Sequence, residues 1–237
     1  MSLEEHLLPA GEMTPGIVRI GDTVRRPIKD GAPYRHQVLQ LLERRGCRCA
    51  PRFLGIDAQG REILSFVDGE VIRYGPDYSD DALTTVGGML RDLHDASAGS
   101  DLAGDQEVVI HNDIAPWNTV STETGPVGFI DFDGAEPGSR LSDIGYMVWT
   151  FLDIGSDDLI ERFQLRLGLM LDGYGLESRR GLSDAILYQQ HRVLAWRAHL
   201  AESAAEESIR LKSVERVELI RNQIRWVEEH AAMLDRG

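Results

Sequence analysis

The chain has 237 residues, 42% apolar and 27% charged, with a formal net charge of −14. That length holds one large domain or two lobes sharing a cleft, while the acidic balance excludes a nucleic-acid binder, which needs a basic face. No apolar run reaches the length of a membrane span, and the N-terminus lacks the basic-then-apolar order of a secretory leader.

In chain order, residues 16–20 and 23–27 alternate apolar and polar around Gly21-Asp22, a hairpin signal. Tyr34, Val38, Leu41 and Leu42 recur at helical spacing, and Gly46 offers a stop. Residues 52–56 and 62–67 read as two strands around an Asp57-to-Gly60 turn, and 68–70 as a connection. Cys47 and Cys49 are too close for an ordinary structural staple. With no third cysteine they make neither a zinc site nor a disulfide framework, so a reduced, cytoplasmic setting is expected.

Ser79 with Asp80 and Asp81 caps a helix running through Leu83, Val86, Leu90 and Leu93 to about residue 96. The apolar run 108–110 and a second at 127–130 enclose a polar loop. Helices are expected over 142–152, 157–171, 183–206 and 208–234. The last carries Val217, Ile220, Ile224, Val227 and Leu234 at three- and four-residue steps, a stripe expected to pack on its own domain rather than form a dimer seam. Monomer and homodimer both stay open.

The chemistry concentrates between the two apolar runs. His111-Asn112-Asp113 and Asn118 are followed thirteen residues later by Asp131-Phe132-Asp133. A His-x-Asp-x4-Asn pattern arises by chance in about one chain in a hundred of this size; a further Asp ending an apolar strand makes it much rarer. Turn formation alone explains an Asn or an Asp in a loop, but not a His, two carboxylates and an amide at these spacings. A carboxylate that orients a hydroxyl, with an amide oxygen and a second carboxylate for magnesium, is the set that phosphoryl transfer requires.

The stretch from His111 to Tyr146, with Ile130-Asp131-Phe132-Asp133 and then Pro137-Gly138-x-Arg140-Leu141-x-Asp143-Ile144-Gly145-Tyr146, resembles the aminoglycoside phosphotransferase and choline kinase superfamily. The resemblance is specific over about forty residues and implies a bilobal, protein-kinase-like α+β fold. A small antiparallel sheet with one helix (residues 1–67) would bind nucleotide, and a mainly helical lobe (68–237) would hold catalysis and substrate. It implies that Asp113 is the catalytic carboxylate. Asn118 and Asp131 would bind Mg2+, Asp133 would assist a second metal, and His111 and Asp143 would support the loop. His94 would be a structural residue; Trp117 reads as a lid on the substrate side or as core, and core is the expectation for a Trp.

In the first lobe, 11–16 reads equally as a phosphate-covering loop and as a surface turn. Val24 and Arg26 share a strand face, so Val24 would pack on the base and Arg26 would reach phosphate; Phe66 would line the same nucleotide site. The family pattern asks for Lys on this strand and Glu on the helix. Here the strand offers Arg26, and the helix offers His36 or Arg35. Arg binds phosphate in a bidentate way, though an exposed basic pair is nearly as good a reading of Arg25 and Arg26.

Residues 1–66 carry ten basic and eight acidic side chains, residues 67–237 fifteen and thirty-one. An acidic lobe attracts cations, so the expected acceptor is a small cationic alcohol, phosphorylated from ATP or GTP. Two other readings stay open: a catalytically silent nucleotide-binding protein with an immunity or sensor role, and a metal hydrolase using His111, Asp113, Asp131 and Asp133.

Overall fold

The computed structural model describes residues 4–8, 16–152, 154–155 and 160–236. The glycine-bearing stretch 11–15 lies outside them. The chain opens with β1 (His6–Leu7), β2 (Val18–Ile20) and β3 (Thr23–Pro27), continues through α1 (Ala32–Arg44), and returns as β4 (Phe53–Ile56) and β5 (Arg61–Ser65). These five strands form one antiparallel sheet in the order β1-β2-β3-β5-β4. Gly21 takes a φ of 58° at the β2–β3 turn, a left-handed conformation that costs glycine little. α1 buries Val38, Leu39, Leu41 and Leu42, as the helical spacing predicts.

The pairing of β3 with β5 sets the rest of the argument. Val24 lies opposite Leu64 and Arg26 opposite Glu62. Because strand side chains alternate, Glu62 and Leu64 both point inward and are buried.

Past β6 (Glu70–Val71) the chain enters α2 (Asp80–Ser97), with Ser79 accepting from the Ala82 backbone N–H at 3.2 Å. Then come β7 (Val108–Ile110), β8 (Thr119–Thr122), β9 (Gly125–Phe129) and β10 (Glu136–Gly138). Four helices finish it: α3 (Arg140–Phe151), α4 (Ile160–Tyr174), α5 (Leu182–Ser203) and α6 (Glu207–Leu234). β6, β8 and β9 make one small sheet, and β7 pairs with β10. α3 begins two residues earlier than its sequence suggests because Ser139 caps it, accepting from Ser142 N–H at 3.2 Å. α4 runs three residues further, to a left-handed Gly175.

The helical core is dense. Leu83, Val86, Leu90 and Leu93 of α2 are fully buried, as are Leu167 and Met170 of α4, each side chain contributing about 1.5–3 kcal/mol by leaving water. Two glycines let α2 and α4 touch backbone to backbone: a Cβ on Gly87 would collide with the Met170 carbonyl, and one on Gly173 with the Thr84 carbonyl. The stripe on α6 (Val217, Ile220, Ile224, Val227 and Leu234) is buried within the chain, as expected of a helix packed on its own domain. No helix among the described residues is long and apolar enough to cross a membrane.

Candidate active site

β7 delivers the chain into the polar loop, and β8 and β9 return it to Asp131. The two segments are tied by the Ile130 backbone N–H to the Asn118 carbonyl at 2.9 Å. Asp143, on the first turn of α3 and fully buried, accepts from the backbone N–H groups of His111 and Asn112, both at 2.7 Å. His94 of α2 bridges Asp143 (3.2 Å) and the Tyr174 hydroxyl (2.9 Å). Burial pushes the Asp143 carboxyl up, but the His94 hydrogen bond and the surrounding donors outweigh it and hold the group below the usual carboxylate range. His111 packs on Phe132, with ring centroids 4.4 Å apart, and its Nε2 lies 3.1 Å from the Ile130 carbonyl.

Asp113 is held from both sides. One oxygen accepts from the Tyr146 hydroxyl at 2.6 Å, the other from the Asn118 side-chain amide at 2.7 Å. Burial pushes its carboxyl up, Tyr146 and His111 pull it back, and Asp131 adds to the rise; the balance is upward. The Tyr146 hydroxyl is pushed well above its ordinary value by burial and by the Asp113 charge. Tyr146 is absent from the roles that the motif implies. The signal was there: it sits three residues after Asp143 on α3, so both project from the same helix face towards the same loop. Arg192 of α5 lies over the Tyr146 ring at 5.8 Å, donates to the Asn112 carbonyl at 2.9 Å and to Gln189 at 2.7 Å, and has no carboxylate partner among the described residues. Trp117, expected in the core, is 39% exposed. The 3-10 turn Pro116–Asn118 buries its first and last residues and turns the indole outward.

Across the cleft, Arg26 spans three carboxylates. Its Nε donates to Glu62, Nη1 to Asp131 at 2.9 Å and Nη2 to Asp133 at 2.7 Å. Lys29 donates to the other oxygen of Asp133 at 2.7 Å, and Arg35 Nε stands 3.3 Å from that group. These three cations hold the Asp133 carboxyl below its ordinary range despite burial, which works the other way. The acid that pairs with the strand cation therefore comes from β5, not from the helix. The helix supplies His36, whose Nε2 lies 2.7 Å from Glu62 while its ring stacks on Phe53 at 3.7 Å. Glu62 was legible only through register, as the residue facing Arg26 across the ladder. Val24 points with Arg26. Phe66 carries the Arg19 guanidinium 3.6 Å above its ring.

The donor set fits Mg2+. Asn118 gives its amide N–H to Asp113 and, among the described residues, its oxygen has no donor and the half-exposed Asp131 engages only one oxygen. Two hard oxygen ligands plus water and phosphate suit that ion. Both oxygens of Asp133 accept from cations, Arg26 and Lys29. No group of three or more His, Cys, Asp or Glu suited to holding a metal occurs among the described residues.

Fold and cleft together define a bilobal protein-kinase-like molecule. The family described as phosphotransferase enzymes matches residues 99–182, the stretch from the end of α2 to the start of α5. A trifolitoxin immunity protein from Rhizobium leguminosarum bv. trifolii is 34% identical over 200 residues, covering 72% of this chain and 75% of that protein. The chain belongs to the phosphotransferase enzyme family. Among solved structures, the Plasmodium vivax ethanolamine kinase superposes with a TM-score of 0.68 at 13% identity, over 94% of this chain and 83% of that one. A microcompartment-associated aminopropanol kinase gives 0.66 at 15%, over 98% and 93%. The gentamicin complex of APH(2")-IIa gives 0.61 at 15%, over 93% of each. At these identities the likeness is one of fold.

Proposed function

We propose that the protein transfers the γ-phosphate of ATP, or of GTP, to a hydroxyl of a small molecule. The observation that carries this reading is the convergence of Asp113, Asn118 and Asp131 on one cleft, with Arg26 opposite them. Asp113 would accept a hydrogen bond from the acceptor hydroxyl, fix its oxygen towards the phosphorus and take the proton late. Its raised carboxyl suits a group that must receive a proton. Tyr146 and Asn118 hold that carboxylate in place, so little reorganisation remains at the moment of transfer. Asn118 and Asp131 are the residues that would hold Mg2+, which when bound neutralises charge on the phosphate oxygens. Val24 would pack on the base. Arg26 would supply the phosphate contact that Lys makes elsewhere. The streptomycin–ATP complex of APH(2")-IIa and the GDP complex of aminoglycoside 2'-phosphotransferase-IIIa support nucleotide use by this fold.

The acceptor is constrained from two directions. The acidic balance of residues 67–237 favours a cation by its summed field. Over the ring of Tyr146, however, Arg192 has only neutral hydrogen-bond partners among the described residues. An amino alcohol that also carries an anionic group, a zwitterion, satisfies both. The setting is cytoplasmic, in keeping with the reduced Cys47 and Cys49.

The immunity protein among the relatives favours a second reading, protection against a toxin, either by phosphorylating it or by binding it without turnover. A screen of acceptor-dependent ADP release over cationic, zwitterionic and neutral alcohols separates these. The enzyme reading expects saturable release that Asp113→Ala abolishes. MgATP binding with no turnover on any acceptor favours silent binding.

A further inference from the structure

Cys47 and Cys49 are the two cysteines of the chain, and the transfer chemistry above uses neither. Their sulfurs lie 3.2 Å apart on the segment that leaves α1 and enters β4. That segment is pinned at both ends: the Cys47 backbone N–H donates to the Leu42 carbonyl at 2.9 Å, and the Cys49 carbonyl accepts from the Phe129 N–H at 2.7 Å. Phe129 closes β9, two residues before Asp131. The Cys49 thiol also donates to the Met89 carbonyl of α2 at 3.4 Å.

The two thiols are not equivalent. Cys49 is buried, whereas Cys47 is half-buried and lines a groove of about 480 Å³ together with Glu43, Arg48 and Arg52. The hydrogen bond from Cys49 draws the Cys47 thiol below its ordinary value, against burial and the Asp92 charge, while the same contact and burial push Cys49 up. A thiolate within reach of solvent, backed by a second thiol at contact distance, is the arrangement in which oxidation stays reversible.

We propose that Cys47 is an oxidation site for hydroperoxides, that Cys49 resolves it, and that the disulfide so formed strains the segment's hold on the hairpin leading to Asp131. The Cys47 thiolate attacks the outer oxygen of the peroxide: an S–O bond forms, the O–O bond breaks, and the other oxygen takes a proton and leaves as alcohol, or as water from hydrogen peroxide. The contact that raised the Cys49 thiol is then gone. Cys49 attacks the Cys47 sulfur; S–S forms, S–O breaks, and hydroxide leaves with the Cys49 proton as water. Two thiols thus supply the two electrons that reduce one peroxide. Closure brings the sulfurs from 3.2 Å to about 2.0 Å within a segment held at both ends, and removes the S–H that binds the Met89 carbonyl. A disulfide made under such strain is readily reduced again, in keeping with a transient bond in a reducing compartment rather than a structural staple. The chemistry of the pair is independent of the nucleotide reading above.

Intact-mass spectrometry of the whole chain, reduced and then treated with hydrogen peroxide, tests this. The expected product has lost two hydrogens, takes up no maleimide, and regains both thiols with dithiothreitol. Cys49→Ser should stop at a sulfenic acid that dimedone captures, about tenfold faster or more than any adduct forms on Cys47→Ser. Hydrogen exchange at the Phe129 amide should quicken about threefold or more in the oxidised chain. An unreacted wild type, added oxygen without a disulfide, a disulfide between two chains, or equal reactivity of the two variants would overturn the oxidation site. The wild-type mass is decisive alone, so a misfolded variant does not rescue the idea. Unchanged exchange at Phe129 would overturn the coupling to the hairpin.

Discussion

Arg26 and Glu62 face each other across β3 and β5 and are joined through Nε, with both side chains buried. In the kinase-like pattern the strand cation is paired from the helix; here the neighbouring strand supplies the acid and His36 of α1 backs it. Removing the acid takes one of three carboxylates from a buried guanidinium and leaves it Asp131 and Asp133. Glu62→Ala should cost about 1.5–3 kcal/mol of stability, lowering the melting midpoint by about 6 °C, and should weaken nucleotide binding together with it. Glu62→Gln, which keeps the hydrogen bond, should lose less of both. Thermal melts with and without MgATP check this; equal stability of wild type and Glu62→Ala would contradict it.

Tyr146 donates to the oxygen of Asp113 that faces away from Asn118. Tyr146→Phe removes a hydrogen bond to a charged group, worth about 1.5–3 kcal/mol, so kcat should fall by about ten- to a hundredfold with nucleotide affinity unchanged. That bond also draws the Asp113 carboxyl down. Without it the carboxyl titrates higher, and the acid limb of the kcat/KM profile should move to higher pH. A limb that stays put would mean that Tyr146 does not act through Asp113.

Asp113 carries a folded-state cost as well as a role. Its carboxyl is raised above the ordinary value, mainly by burial, so the charged form destabilises the fold once pH passes the unfolded value near 4. Asp113→Asn should therefore melt higher than wild type at pH 7, and the gain should shrink as pH falls below about 4. Turnover should drop by about 10²–10⁴. Melting curves at several pH values decide it; a variant less stable at pH 7 would contradict the sign.

Asp143 behaves in the opposite sense. Its folded carboxyl lies below the ordinary range, so its contribution is present above the unfolded value and is lost as pH falls through the depressed one. Asp143→Asn should destabilise the protein at neutral pH. The difference from wild type should narrow in acid, below about pH 4, as followed by denaturant titration.

Much of this was legible in the sequence. The β2–β3 and β4–β5 pairs, the lone helix of the small sheet and the stripe on α6 follow from periodicity and turn residues, and the placing of Asp113 and Asn118 on one loop with Asp131 after the next hairpin follows from the motif. β1 was not, because His6 and Leu7 form a two-residue exposed strand with no pattern to detect. β10 was hidden because Glu136-Pro137-Gly138 has turn composition and becomes a strand only by pairing with β7. The setting of Asp133 lay out of reach for a different reason: Arg26 and Lys29 come to it from 107 and 104 residues away. Such contacts depend on how the small sheet sits over the loop, which no local pattern encodes.

The most direct measurement is calorimetric titration of MgATP into wild type, Asp113→Ala and Asp131→Ala, with ADP formation followed in the same samples once an acceptor is in hand. The account predicts near-equal affinity for wild type and Asp113→Ala with turnover only in wild type, and binding weakened at least tenfold in Asp131→Ala. Undiminished turnover in Asp113→Ala, or MgATP binding indifferent to Asp131, would contradict it.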